Sequence, residues 1–213
     1  MIRYNPADSD IYNVPIQYRP KTCFIMCRLR KPVPNDQTEI RIALGKLINK
    51  RGYAEIDAES SILGKDFLSK IWNMVYQVPI GIAIITRGTS RRTLGNIFYE
   101  IGLLEASGKE TLVIKTRDTQ IPSDFIRTEY IEYNSDFETQ INKYFDTITE
   151  LQQHFNFMAQ QLKNDPLLAI DYMRRAYMLT GDETYRNGAK KLYSEACKKG
   201  MVISCVQELF VKF

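Results

Sequence analysis

Ile80–Thr86 reads IGIAIIT, followed by the polar stretch Arg87-Gly88-Thr89-Ser90-Arg91-Arg92 and then NIFYEIGLLEASGK over Asn96–Lys109. The first seven residues are continuously apolar until the terminal threonine, which suits a strand buried on both faces. The basic stretch predicts a loop. Ile97–Ser107 has apolar residues at helical spacing and closes at Gly108, so a helix is expected there. Thr111–Lys115 (TLVIK) predicts the next strand. A strand, a loop, a helix and a second strand in so short a span is the signature of a parallel sheet with a crossover helix.

The same alternation extends in both directions. Upstream, Thr22–Met26 (TCFIM) predicts a central strand and Cys27–Pro32 a basic loop. Ile40, Ala43, Leu44, Leu47 and Ile48 then fall on one helical face, stopped by Gly52. Tyr53–Ile56 is a second candidate strand, and Leu68, Ile71, Trp72 and Val75 line a second helix. Downstream, the loop around Pro122 leads to a short strand at Glu129–Tyr133. The pattern predicts an α/β fold, a Rossmann-like open, mostly parallel sheet with flanking helices. Such sheets bind ligands beyond the carboxyl ends of their strands.

From Phe137 on the strand signal fades. Leu151–Lys163, Pro166–Thr180 and Asn187–Lys199 read as three helices, with Asp165 as an N-cap and Pro166 at the first helical position. Three parts are expected: an irregular arm over residues 1–20, broken by Pro6, Pro15 and Pro20, an α/β domain over 21–150 and a helical extension over 151–213.

Composition narrows the chemistry. Of 213 residues, 44% are hydrophobic, enough to offset the entropy of folding and to exclude a disordered chain. A net charge of +4 is too slight to indicate nucleic acid. No apolar run approaches the roughly 18 residues of a membrane span, and Met1–Pro20 lacks the apolar core of a signal peptide. The four cysteines, Cys23, Cys27, Cys197 and Cys205, read as reduced thiols of a cytoplasmic protein. With His154 the only histidine and no paired CxxC spacing, neither a metal site nor a histidine-based triad is expected. Cys23 and Trp72 read as core.

The residue that stands out is Glu100, placed by this reading in the first turn of its helix. Spacing leaves two readings open. It is a carboxylate at the ligand crevice, held ionised by loop amides and the helix dipole, or an acidic residue that complements the helix N-terminus. Gly102 is expected to let helix and sheet approach closely. The basic loop, together with Arg28, Arg30 and Lys31, either faces water or forms a cationic rim that prefers phosphorylated ligands.

The stretch NIFYEIGLLEASGK resembles the glutamate helix of nucleoside 2-deoxyribosyltransferase-like domains, which are relatives of bacterial Toll/interleukin-1 receptor (TIR) nucleotide-binding proteins. Phe24–Arg28 with Arg30, and Pro122-Ser123-Asp124-Phe125 with Ile131-Glu132-Tyr133, are similar to the first strand and closing stretch of that family, in the same order. The resemblance spans about residues 21–135. It implies an N-glycosidic-bond cleavage in NAD or a related nucleotide or nucleoside, with Glu100 attacking the anomeric carbon or stabilising its positive charge. It further implies Asn96 as a ribose or base contact, Arg28 and Arg30 as phosphate or base ligands, with Arg91 in the same rim, and Tyr99 lining the pocket or packing. A nucleotide is then substrate or ligand, and no separate cofactor is implied.

Where family members carry an Asp or Asn before the third strand, this chain has Val78-Pro79, and Asp57, Glu59 and Asp66 are the candidates to substitute. The missing acidic set and the basic rim favour a nucleotide glycosidase over a salvage transferase. The resemblance also implies an antiviral defence effector, or a nucleotide sensor that signals through its helical tail. Asn187–Cys205 is similar to one unit of a Sel1-type helical repeat. A lone repeat cannot bury its own face, so a homo-oligomer or partner contact is expected there.

Overall fold

The structure is a computed structural model that describes residues 16–58, 67–121, 130–162 and 164–198. Those residues form five strands and six helices: β1 Thr22–Met26, α1 Asn35–Lys50, β2 Ala54–Asp57, α2 Phe67–Gln77, β3 Ile80–Ile85, α3 Arg91–Ala106, β4 Glu110–Lys115, β5 Tyr130–Glu132, α4 Phe137–Gln161, α5 Pro166–Thr180 and α6 Glu183–Lys198. The strands make one sheet in the order β2-β1-β3-β4-β5. Every neighbouring pair is parallel. The α/β class expected from the alternation is the one observed.

Burial explains why the middle strands are unbroken apolar runs. All residues of β1 and β3 are buried, whereas β2 at one edge has none buried. On one face, Phe24, Met26, Ala83, Ile85 and Val113 pack with Ile71, Val75, Ile97, Ile101 and Leu104 of α2 and α3. The alternate residues Ile25, Ile82, Ile84 and Ile114 are also fully buried and point the other way. There α1 and α4 are tied together by Arg51, which donates to Asn142 Oδ1 at 3.1 Å and pairs with Asp146 at 2.7 Å. Leu68, expected on the buried face of α2, is 52% exposed, while Trp72 is core at 2%.

The close approach of helix to sheet comes from a different glycine than the one expected. A Cβ on Gly81 of β3 would lie 2.2 Å from Leu104 Cδ1, so only glycine lets α3 sit this low. Around Gly102 nothing lies within 4 Å of such a carbon.

The described residues divide into two compact units, one within Arg19–Leu151 and the other comprising Ile16–Tyr18 and the described residues from Gln152 to Lys198. The division falls inside α4, which starts at Phe137, well before the helix expected from Leu151. In the helical unit α5 begins as anticipated, with Asp165 accepting from Leu168 N at 3.2 Å and Pro166 in the first turn. It ends at Gly181, whose φ of 68° is easy for glycine alone. Ile170 and Ala189 centre the contact of α5 with α6. Of the expected irregular arm, Ile16–Pro20 are described. Ile16 is buried, and the Tyr18 hydroxyl accepts from Arg174 Nη1 at 3.1 Å. The stretch from Lys199 to Cys205, the end of the repeat-like segment, lies outside the described residues. Among the described residues no helix is long and apolar enough to cross a membrane.

Candidate functional site

The topology locates the crevice. From β1 the chain moves through α1 to β2 on one side, and from β3 it moves through α3 to β4 on the other. Because β1 and β3 are neighbours whose connections diverge, the ligand crevice of such a sheet is expected between their carboxyl ends. The loops Cys27–Pro34 and Thr86–Ser90 border it. Arg28 ties them together: Nη1 donates to Gly88 O at 3.1 Å and Nε to Arg30 O at 3.0 Å. The Arg28 carbonyl in turn accepts from Gln37 Nε2 at 2.8 Å. A Cβ on Gly88 would come within 3.0 Å of Pro34 Cγ, so the loops also meet through van der Waals contact.

Two buried polar atoms beside this network have no hydrogen-bond partner: Gln37 Oε1 and Thr86 Oγ1. Gln37 is 3% exposed and Thr86 2%. Burying such atoms unpaired is unfavourable by about 1–3 kcal/mol each. The reading from sequence missed both residues. The signals were there: a lone hydroxyl closing an apolar run, and an amide in the first turn after a loop.

Helix α3 starts earlier than expected. Ser90 is the N-cap, accepting from Thr93 N at 3.2 Å, and Arg91 is the first helical residue. Glu100 is therefore nine residues into the helix, not in its first turn, and beyond reach of the unpaired amides at the helix start. Its environment follows from helical geometry. Glu105 binds Thr111 of β4 through a 2.8 Å hydrogen bond, which fixes one flank of α3 against β4. Glu100 sits about 140° round the axis from Glu105, on the flank turned away from β4 and next to the core-facing Ile97, Ile101 and Leu104. Its carboxyl is partly buried, and among the described residues it has no ion-pair or hydrogen-bond partner. Burial alone pushes its pKa up to about 7 from the ordinary 4.5. The expectation of a carboxylate held ionised by amides and dipole is thus corrected: this group takes and releases a proton near neutrality.

The other candidates are spread around the crevice. Asn96 is one turn before Glu100 on the same side of α3 and is exposed. Tyr99 lies on the outer surface of the helix, 45% exposed. Arg30 and Arg91 are exposed. Among the described residues neither forms an ion pair or hydrogen bond through its side chain. Among the described residues no side-chain hydrogen bond or ion pair joins Glu100 to Arg28, Arg30, Arg91 or Tyr99. Asp57 ends β2 with its carboxylate 2.8 Å from Arg41 Nη2. Glu59, Asp66 and the Pro122–Phe125 stretch lie outside the described residues. Cys23 is fully buried, and burial, reinforced by Glu55, lifts its thiol far above the usual range, so it is no nucleophile. Among the described residues no three His, Cys, Asp or Glu side chains gather as metal ligands do.

No family model matches the sequence, and no curated protein matches it. Among solved structures the chain is similar to the CMP N-glycosidase of Clostridium botulinum, with a TM-score of 0.42 and 19% identity, over 58% of this chain and 98% of that one. The functional reading rests on the crevice itself.

Proposed function

We propose that this crevice cleaves the N-glycosidic bond of a nucleotide, NAD included, with Glu100 acting at the anomeric carbon. The observation that carries the reading is a carboxyl group in an apolar flank of the helix that follows β3, with no partner among the described residues and a pKa raised to about 7. A carboxylate that only supported the helix would gain nothing from burial.

The chemistry fits the position. As the bond from C1′ to the base nitrogen breaks, the base leaves with the electron pair and the sugar passes through an oxocarbenium-like state. A carboxylate fixed in a water-poor flank stabilises that charge, or forms a bond to C1′, far better than one in water. Water then adds at C1′ and loses its proton. The developing cation also favours the ionised form of Glu100, so binding and reaction pull its pKa down from 7. Asn96, one turn away, would contact the ribose or base, and Arg28 joins the loops that follow β1 and β3.

The test is to incubate the purified protein and its Glu100→Gln variant with NAD and a panel of nucleotides and deoxynucleosides, following free base by chromatography. Base release by the native protein alone supports the reading. Nucleotide binding without base release by either protein sinks it.

A further inference from the structure

Two neighbouring strands, β3 and β4, end in similar turns. After β3 comes Thr86-Arg87-Gly88-Thr89 and after β4 Thr116-Arg117-Asp118-Thr119. In each, the fourth residue's amide donates to the first residue's carbonyl, at 2.9 Å from Thr89 to Thr86 and at 3.0 Å from Thr119 to Thr116. In each, a threonine hydroxyl braces the turn: Thr86 N donates to Thr89 Oγ1 at 3.0 Å, and the Thr116 and Thr119 hydroxyls share a 2.7 Å hydrogen bond. The turns stand side by side, because Ile85 pairs with Lys115 and the ladder continues one step further, Thr116 N donating to Ile85 O at 3.2 Å. Arg87 and Arg117 thus occupy matching positions on backbones roughly 5 Å apart.

Both arginines are exposed, and among the described residues neither side chain has an ion pair or hydrogen bond. The amides of Arg87, Gly88, Arg117 and Asp118 likewise have no protein acceptor among the described residues. Paired backbone amides under a guanidinium form an anion-binding concavity. Below the first turn lies the unpaired buried hydroxyl of Thr86. Against the second lies a cavity of about 770 Å³, walled by Lys115, Arg117, Asp118, Thr119 and Tyr130 among others, so that the Asp118 carboxylate also borders it. Lys115 is already held there by Glu132 at 3.6 Å, so among the described residues of this cavity Arg117 is the cation without an ion pair.

We propose that the twin turns form a phosphoryl clamp, with Arg87 and Arg117 gripping the phosphate of the nucleotide whose glycosidic bond faces Glu100. The proposal rests on the glycosidase reading for the rest of the substrate but not for the anion. It makes the preferred substrate a phosphorylated one, since a neutral nucleoside leaves both guanidinium groups unsatisfied.

Calorimetric titration with inorganic pyrophosphate at low salt tests it, using the native protein, Arg87→Ala, Arg117→Ala, the double variant, and Lys46→Ala as a charge-matched control on α1. Each single arginine variant is expected to bind about tenfold more weakly and the double variant about a hundredfold, with Lys46→Ala unchanged. A nucleoside 5′-monophosphate should bind at least about tenfold more tightly than its nucleoside, and that gap should close in the double variant. Circular dichroism melts matching the native protein verify that the variants fold. The clamp is overturned if pyrophosphate does not bind the native protein, if the arginine variants bind as well as the native protein, or if Lys46→Ala loses as much. The two readings fail separately. Base release with binding unchanged in the variants removes the clamp and leaves Glu100 standing. Pyrophosphate binding with no base release keeps the clamp and removes the glycosidase.

Discussion

The arginines of this chain divide by region. Away from the carboxyl edge of the sheet five arginines are matched with carboxylates, Arg41 with Asp57 and Glu55, Arg51 with Asp146, Arg174 and Arg175 with Asp171, Arg186 with Glu183, while the exposed Arg19 forms no ion pair among the described residues. Those on the loops at the carboxyl edge of the sheet have no carboxylate. Arg28 donates to two carbonyls, and Arg30, Arg87, Arg91, Arg92 and Arg117 form no side-chain ion pair among the described residues. The one carboxyl beside that region with a strongly raised pKa, Glu100, is equally unmatched. Cations left open at this edge are available to a ligand. On the proposed reading, charge in the body serves stability and charge at the edge serves binding and chemistry.

Glu100→Gln should separate the two roles most sharply. It is expected to lower the rate of base release by about 10²–10⁴-fold with little change in nucleotide affinity, measured by chromatography and titration. Gly81→Ala is the opposite case. The new methyl collides with Leu104, so a loss of about 1–3 kcal/mol is expected in denaturant melts, with any surviving folded fraction keeping its affinity for nucleotide. Gly102→Ala, in open space on the same helix, should instead stabilise by about 0.5–1 kcal/mol.

The unmatched carboxyl also has a signature in stability. Its pKa is raised in the folded protein, so its burial is harmless below the ordinary value of 4.5 and becomes a growing burden as pH rises to about 7. Glu100→Gln should therefore melt with the native protein near pH 4 and exceed it by about 1–2 kcal/mol at pH 8. Identical melting curves at pH 8 would show that the carboxyl is solvated and break the comparison on the acidic side. The smallest effects concern the arginines. Arg41→Ala leaves Asp57 and Glu55 without their cation and should destabilise by about 1 kcal/mol, since the pair is partly exposed. Arg87→Ala and Arg117→Ala should change stability by less than about 0.5 kcal/mol. Equal losses at all three positions would erase the distinction between body and edge.

Much of the fold was readable in the residues, for physical reasons that also mark where reading stopped. Strands β1 and β3 are buried on both faces, so their apolar runs stood out, and Asp165-Pro166 and Gly181 carried unambiguous helix-boundary chemistry. The start of α3 was misplaced because Arg91, Arg92 and Thr93 look like loop, and only Ser90 capping Thr93 N makes them a first turn. That shift moved Glu100 from the helix end to its middle and reversed the sense of its pKa. The first half of α4 was hidden by its many polar residues between Phe137 and Glu150, although Phe137, Ile141, Tyr144, Phe145 and Ile148 are buried at helical spacing. Gln37 becomes notable only when its amide meets the Arg28 carbonyl, nine residues away and across a loop. The repeat of Thr-Arg-x-Thr was in the sequence throughout, but its meaning depends on β3 and β4 being neighbours in register.

The most direct test of the account is the pH dependence of base release under kcat/KM conditions, native protein beside Glu100→Gln. If Glu100 acts as an ionised nucleophile or stabiliser, native activity should climb about tenfold per pH unit below a midpoint near 7 and level off above it, with Glu100→Gln low throughout. A flat native profile across that midpoint, or a glutamine variant that follows the native curve, would contradict it.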